Sequence, residues 1–192
     1  VIPLEPDRAA ARRRLGLEDD ETVVAILPGS RRSEVQYNAR RFFDAAVLMQ
    51  RQRPGLRFVV PAVPALKDSI AAIATASGLD DVMLLSGRSH DALAACDVTL
   101  IASGTATLEA ALFKRPMVIA YNMNVLSWHI MRRKQLQPWV GLPNILCGDF
   151  VVPELLQDAA TPPALAQATW AWLDAPAQTA ALQARFTELH HS

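Results

Sequence analysis

Short apolar runs alternate with longer amphipathic segments along most of this chain. The apolar runs are rich in Val, Ile and Leu, which predicts strands that are buried on both faces. The predicted strands are Val23–Leu27, Arg57–Val60, Val82–Leu85, Val98–Ala102 and Met117–Tyr121. The segments between them carry apolar residues at helical spacing. Together they predict an α/β fold, a Rossmann-like parallel sheet with helices on both faces.

The periodic segments also indicate where helices begin. A stripe starting at Val35 follows Ser33, which we expect to cap that helix with Gln36 as its reciprocal partner. Residues 1–6 contain two prolines and no periodic pattern, so we interpret them as a linker from a preceding domain and 1–192 as one domain. The other predicted helices are Asp7–Leu15, Ala65–Ser77, Ser89–Ala95, Thr105–Phe113, Val125–Gln135, Val152–Gln157, Pro163–Leu173 and Ala177–Leu189.

Composition narrows the class of protein. The 192 residues are 51% hydrophobic and 20% charged, which is typical of a globular domain. The formal net charge of +0 argues against a broad nucleic-acid-binding face, so we expect no nucleic-acid partner. Cys96 and Cys147 match no metal-ligand spacing, and no Walker-type loop with lysine is present. We therefore expect no metal, no cofactor and two free thiols, which favours a reducing, cytoplasmic compartment.

Two turns at the ends of predicted strands carry the candidate chemistry. The Gly29 turn (Gly29-Ser30-Arg31) offers amide groups, a hydroxyl and a guanidinium that can bind an oxyanion bidentately. The Ser103 turn (Ser103-Gly104-Thr105) opens a helix, whose first N–H groups attract anions. Because ligands of such sheets bind at the carboxyl ends of the strands, we expect both turns to hold one diphosphate. The plain alternative for the Ser103 turn is a well-capped helix.

Further candidates lie near the same edge. Glu109 is one turn beyond the Ser103 turn, where its carboxylate could accept two ribose hydroxyls or be a solvated surface group. Gly87 and Arg88 follow the third strand, and His90 begins the next helix as a possible ligand contact.

Three more polar residues come later in the chain. Asn144 follows a proline in an expected exposed loop, where it could bind a sugar or satisfy its own turn. Glu154 and Gln157 share one face of a predicted helix and could reach sugar hydroxyls, or be plain helix surface.

Five segments in order resemble the carboxyl-terminal half of the lipid-A-disaccharide synthase family. They are Leu27–Arg31, Ala102–Glu109, Pro116–Tyr121, Leu142–Leu146 and Val152–Gln157. The resemblance implies one half of a GT-B glycosyltransferase that transfers 2,3-diacylglucosamine from UDP-2,3-diacylglucosamine to the lipid acceptor 2,3-diacylglucosamine 1-phosphate. The products would be the lipid A disaccharide 1-phosphate and UDP.

The resemblance also implies roles for residues. Ser30, Arg31, Ser103, Gly104 and Thr105 would hold the diphosphate. Glu109 would bind the ribose, and Gly87 and Arg88 would contact the uracil. The donor side would be lined by Asn144, Glu154 and Gln157. The general base would lie in an amino-terminal domain that this sequence lacks, so we expect no catalytic residue here, weak nucleotide binding and no turnover by this chain alone.

Two alternatives remain for the activity. A UDP-N-acetylglucosamine 2-epimerase-like enzyme places phosphates on a similar helix start, and a non-catalytic nucleotide-binding domain could use the same crevice. Residues 125–139 join apolar, aromatic and basic side chains, which is typical of an interfacial helix. Such a helix could make peripheral contact with the inner face of the bacterial inner membrane. The alternative is a helix that buries Leu126, Ile130 and Met131 within the domain.

Overall fold

The computed structural model describes residues 1–192 and contains one six-stranded sheet. All neighbouring strands are parallel, in the order β3-β2-β1-β4-β5-β6. The strands are β1 Val23–Leu27, β2 Arg57–Ala62, β3 Val82–Ser86, β4 Val98–Ala102, β5 Met117–Tyr121 and β6 Glu154–Leu156. This is the doubly wound order of a Rossmann-like sheet, so the predicted fold class is confirmed.

Nine helices connect or cover the strands. They are α1 Arg8–Leu15, α2 Arg32–Gln52, α3 Lys67–Ser77, α4 Ser89–Ala95, α5 Thr105–Leu112, α6 Val125–Lys134, α7 Leu142–Cys147, α8 Pro162–Leu173 and α9 Pro176–His191. Short 3-10 turns lie at Pro64–Leu66 and Gln157–Ala159.

The core has two layers because side chains alternate between the faces of each strand. In β1, Val24 and Ile26 join a cluster with α2, α3 and α8. Val23, Ala25 and Leu27 join a second cluster with α1, α4, α5 and α9. Every residue of β1 and β4 is buried, which is why β1 is an unbroken apolar run and β4 is apolar except for Thr99.

The strand order reverses direction between β1 and β4. These two strands are hydrogen-bonded neighbours, with Leu27 in register with Ile101. From β1 the chain continues to β2 in one direction along the sheet, and from β4 it continues to β5 in the opposite direction. A crevice therefore opens between the carboxyl ends of β1 and β4. This topological switch point is where open α/β sheets bind ligands.

A buried arginine anchors the opposite, amino-terminal edge. The Arg12 side chain is 0% exposed and donates to the carbonyls of Ala95, Glu18 and Glu21. It also forms an ion pair with Asp97 at 3.0 Å. These bonds fix α1 against the start of β4.

Three sequence-based assignments are wrong. The α2 helix begins at Arg32 with Arg31 as its N-cap, so Ser33 lies inside the helix and does not cap it. Residues 152–157 are not a helix, because Glu154–Leu156 pairs with the open edge of β5 as β6. The exposed loop expected around Asn144 is instead the short helix α7, which buries that asparagine.

Candidate functional site

A cavity of about 530 Å³ lies at the switch point, beyond the carboxyl ends of β1 to β4. Both predicted turns line it, as do Gly87 and Glu109. Pro61–Pro64 consists of the last two residues of β2 and the two that follow it. This segment forms a further wall of the cavity, which the sequence analysis did not predict. The expectation that separate loops meet at one crevice is therefore confirmed as geometry.

Two amides of the Gly29 turn are capped by a side chain of α2, the helix that follows the turn. The amides of Ser30 and Arg31 both donate to Oε2 of Glu34, at 2.8 and 3.2 Å. Gly29 has φ +129°, and a Cβ at this position would overlap the Glu34 side chain, so only glycine fits. The turn therefore offers an arriving anion its side chains, the Ser30 hydroxyl and the Arg31 guanidinium, while its amides are occupied.

The Ser103 turn is open by comparison. No side chain caps α5, whose N-cap Gly104 has φ 146° and ψ −168°. The first amide that bonds within this end of the helix is that of Thr107, which donates to the Gly104 carbonyl at 3.1 Å. The Ser103 amide donates to the Ala120 carbonyl at 3.3 Å, so the free N–H groups of this helix terminus are those of Gly104, Thr105 and Ala106, which line the cavity and carry its partial positive charge. Of the two turns, this one is better prepared for an anion.

Glu109 lies one helical turn deeper along α5 and lines the cavity. Its side chain is 39% exposed, and Nε2 of His90 lies 3.5 Å from its Oε2. His90 does not itself line the cavity but contacts a residue that does. A carboxylate one turn beyond an anion-binding helix start is well placed for hydroxyls next to a phosphate.

The loop after β3 places Gly87 and Ser89 on the cavity wall. Arg88, at φ 60°, directs its guanidinium to Asp91 at 3.1 Å and is not a lining residue. Burial alone would raise the pKa of Asp91, but hydrogen bonds from Arg14 and Arg88 lower it overall. Arg88 therefore contributes an ion pair at the rim rather than a lining side chain.

Asn144 and Glu154 form an internal cluster away from the cavity. Asn144 is 0% exposed and donates to the Val152 carbonyl and to Glu154, while its own oxygen accepts the amides of Val151 and Val152. The Glu154 carboxylate also accepts the amides of residues 140 and 141. Their polar atoms hold the segment around α7 against β6.

Gln157 is likewise used within the protein. Its side-chain amide makes two hydrogen bonds to the backbone of Met123, at 2.8 and 3.1 Å. It has φ 52° and begins the 3-10 turn after β6. The structure therefore does not bring Asn144, Glu154 or Gln157 to the cavity wall.

The α6 helix lies on the surface with no buried residue. Leu126 is 71% exposed, Ile130 50% and Leu136, just beyond the helix, 99%. The alternative in which α6 buries Leu126, Ile130 and Met131 is therefore wrong, since Met131 is only half-buried. None of the helices has the length and apolar character that a bilayer crossing requires.

The fold is that of a Rossmann-like domain, and the solved structures that share it include glycosyltransferases. HepE of Anabaena, solved with UDP and glucose, superposes with a TM-score of 0.64 at 19% identity, over 95% of this chain and 46% of that one. Heptosyltransferase II of E. coli gives 0.62 at 13% identity, over 88% and 52%. The UDP-GlcNAc 2-epimerase of Neisseria meningitidis, bound to UDP-GlcNAc, gives 0.60 at 13% identity, over 89% and 42%. At these identities the likeness is one of fold.

Sequence comparison is more specific. The family model for lipid-A-disaccharide synthetase matches residues 1–191, and this chain belongs to that family. The lipid-A-disaccharide synthase of Albidiferax ferrireducens is 66% identical over 99% of this chain and 50% of its own length. That of Verminephrobacter eiseniae is 64% identical over 100% of this chain and 51% of its own length. The chain thus spans about half the length of these curated relatives.

Proposed function

We propose that this chain is the donor-nucleotide-binding half of a glycosyltransferase of lipid A biosynthesis. The whole protein would transfer 2,3-diacylglucosamine from UDP to 2,3-diacylglucosamine 1-phosphate, releasing UDP. Family membership and the solved relatives with UDP ligands support this proposal. The observation that carries it is the meeting of two glycine-containing turns at helix starts and one carboxylate at a single switch-point cavity.

In this proposal the nucleotide lies along the cavity from the α5 N-terminus outward. The open amides of Gly104 and Thr105 and the guanidinium of Arg31 hold the diphosphate, with Ser103 and Ser30 adding hydroxyls. Glu109 accepts the ribose hydroxyls. Gly87 and the rim at Arg88 flank the uracil.

The same groups favour departure of UDP. Negative charge grows on the diphosphate as the bond to the sugar breaks, and fixed N–H dipoles and a guanidinium stabilise it without reorganising. The acceptor hydroxyl must lose its proton to a general base. We place that base in the other half of the family's length, so this chain supplies leaving-group stabilisation only.

Asn144, Glu154 and Gln157 support the donor side indirectly in this proposal. Their side chains are bonded to backbone groups around α7 and after β5. They would shape the loops that face the sugar rather than contact the UDP.

Nucleotide titration of the 192-residue chain by calorimetry tests the binding step. UDP should bind and ADP should bind more weakly. Replacing Arg31 by alanine should weaken the affinity for UDP by roughly tenfold or more, as expected for loss of a charge-assisted contact. The matched control is Arg32→Ala, an exposed arginine that does not line the cavity, which should stay within about twofold. Binding of ADP in preference to UDP would contradict the proposal.

Transferase activity tests the reaction. The chain alone should form no disaccharide from the two lipid substrates. Joined to the amino-terminal half of the Albidiferax ferrireducens relative, it should do so. Turnover by the chain alone, or epimerisation of UDP-GlcNAc in place of transfer by the joined protein, would overturn the assignment.

We also propose that α6 contacts the membrane surface that carries the acylated substrates. Its exposed Leu126 and Ile130 lie on the same helix as Arg132, Arg133 and Lys134. At low salt the chain should co-sediment with vesicles that contain anionic lipid. Leu126→Glu should release it, whereas Leu4→Glu, at another exposed leucine, should not. No sedimentation of the unaltered chain would remove this proposal.

A further inference from the structure

We propose that His90 is a positioning residue that holds the Glu109 carboxylate in the orientation that accepts the vicinal hydroxyls of a ribose. This inference rests on the proposed function, since it concerns how the same cavity recognises its nucleotide. It goes beyond that function by assigning diol recognition to a pair of side chains from two helices.

The geometry joins α4 to the cavity through one contact. Nε2 of His90 lies 3.5 Å from Oε2 of Glu109, within ion-pair range for a protonated imidazole. The His90 ring also packs edge-on against Phe113, with the ring centroids 5.2 Å apart and the planes at 61°. Phe113 is buried and follows α5 four residues after Glu109, so one helical face presents both the carboxylate and the ring that seats the imidazole.

The acidic neighbour of His90 is already engaged. Asp91 pairs with Arg14 at 2.8 Å through one oxygen and with Arg88 at 3.1 Å through the other. It therefore does not compete for the imidazole. The ion pairs of Asp91 also fasten the first turn of α4 to α1, which fixes the backbone that carries His90.

Holding one oxygen of Glu109 has a physical consequence for binding. A glutamate has three side-chain torsions, and a 39% exposed carboxylate without a partner would sample several rotamers. A protonated imidazole with Nε2 3.5 Å from Oε2 would restrict that sampling and leave Oε1 for hydroxyl donors. The pair is half-exposed, so its effect should be modest, about threefold to fivefold in affinity.

The decisive measurement is the ratio of affinities for UDP and 2′,3′-dideoxy-UDP. The analogue keeps the base and the diphosphate but lacks the hydroxyls that Glu109 would accept. His90→Phe, which keeps a ring against Phe113 but no donor, should lower the ratio about threefold to fivefold by weakening UDP only. His90→Gln, which restores a donor, should recover most of the ratio.

Two further variants isolate the pathway of the effect. Glu109→Gln should bring the ratio close to one, and adding His90→Phe to it should change nothing more, because the imidazole acts through the carboxylate. His191→Phe, at an exposed histidine near the end of α9, is the matched control and should leave the ratio unchanged. Far-UV circular dichroism and unfolding temperature confirm that each variant is folded.

The outcomes separate this inference from the proposed function. If the unaltered chain prefers UDP over its dideoxy analogue and His90→Phe keeps that preference, the positioning role is overturned and the nucleotide site stands. An equal loss of affinity for both ligands would also overturn it, since His90 would then act on the phosphates or the fold. If the unaltered chain binds UDP no better than inorganic phosphate, the proposed function fails and this inference fails with it.

Discussion

Replacing Asn144 by alanine should destabilise the domain strongly while leaving UDP affinity intact. The side chain is 0% exposed and makes four hydrogen bonds between 2.8 and 3.0 Å. Alanine would orphan the amide of Val152, which is 2% exposed, and would also leave the Val152 carbonyl without this donor. Glu154 would lose one donor but keep the backbone amides of residues 140 and 141.

The expected cost follows from those orphaned groups. Each buried polar group left without a partner costs about 1–3 kcal/mol, so we expect a loss of about 3 kcal/mol in the free energy of unfolding. For a domain of this size that corresponds to a fall of roughly 6–12 °C in Tm. Because Asn144 does not line the cavity, the UDP affinity of the folded variant should remain within about twofold.

Differential scanning calorimetry and UDP titration at low temperature measure both effects. The matched control is Asn124→Ala, which removes one exposed cap hydrogen bond to Ser127 and should cost about 1 kcal/mol. If Asn144→Ala unfolded no earlier than Asn124→Ala, or lost UDP binding while still folded, the structural role assigned to Asn144 would be refuted.

Three other outcomes follow from single features. Gly29→Ala should lower stability by about 2 kcal/mol, because its φ of +129° and its lack of room oppose any side chain, whereas Gly55→Ala, which meets open space, should be near neutral in the same thermal assay; equal effects would contradict this. Arg12→Met should cost about 3 kcal/mol in urea unfolding, since it leaves the carbonyls of Ala95, Glu18 and Glu21 without this buried donor and removes one of the two arginine partners of Asp97, and a loss below about 1 kcal/mol would count against it. Burial raises the pKa of Cys96 to about 12, so its thiol stays protonated at pH 8 and only Cys147 should be alkylated in the native protein, as mass spectrometry can check; two modified thiols would be the opposing result.

The central strands were predictable because both of their faces are buried. An unbroken apolar run such as Val23–Leu27 has few other places in a fold of this size. The two turns were predictable for a related reason, since a glycine-containing turn between a strand and a helix has a fixed place at the carboxyl edge. Burial of the strands thus determined both the sheet and the position of the candidate site.

Features that depend on distant partners could not be predicted from local sequence. Residues 154–156 have helical composition, yet they form β6 because β5 offers an open edge; the amide of Ile119 donates to the Pro153 carbonyl at 3.0 Å. The predicted strand ended at Val60, but β2 continues to Ala62, with Pro61 in register with Leu85. That error hid the wall of the cavity formed by Pro61–Pro64.

The polar residues near the cavity show the same limit. Ser33 and Glu34 both suit a helix start, and only the backbone path of the Gly29 turn selects Glu34 as the acceptor. Asn144 has a side-chain amide of the kind that often binds ligands. Its hydrogen-bond partners become neighbours only when α7 packs beside β6. Side-chain chemistry indicated which residues are polar and constrained, and tertiary structure decided what each one binds.

Because the strand order reverses between β1 and β4, the two sides of the cavity come from different halves of the sheet. One side is formed by residues that precede β4 in the chain: the Gly29 turn, Pro61–Pro64 and Gly87. The other side is formed by the Ser103 turn and Glu109, which follow β4. The chain passes from the half of the sheet that contains β1–β3 to the half that contains β4–β6 between α4 and β4. A ligand that contacts both sides of the cavity therefore adds a noncovalent link between the two halves. Ligand binding should therefore raise the Tm of the whole domain, and a cut in the backbone between α4 and β4 should be tolerated better with ligand bound than without it.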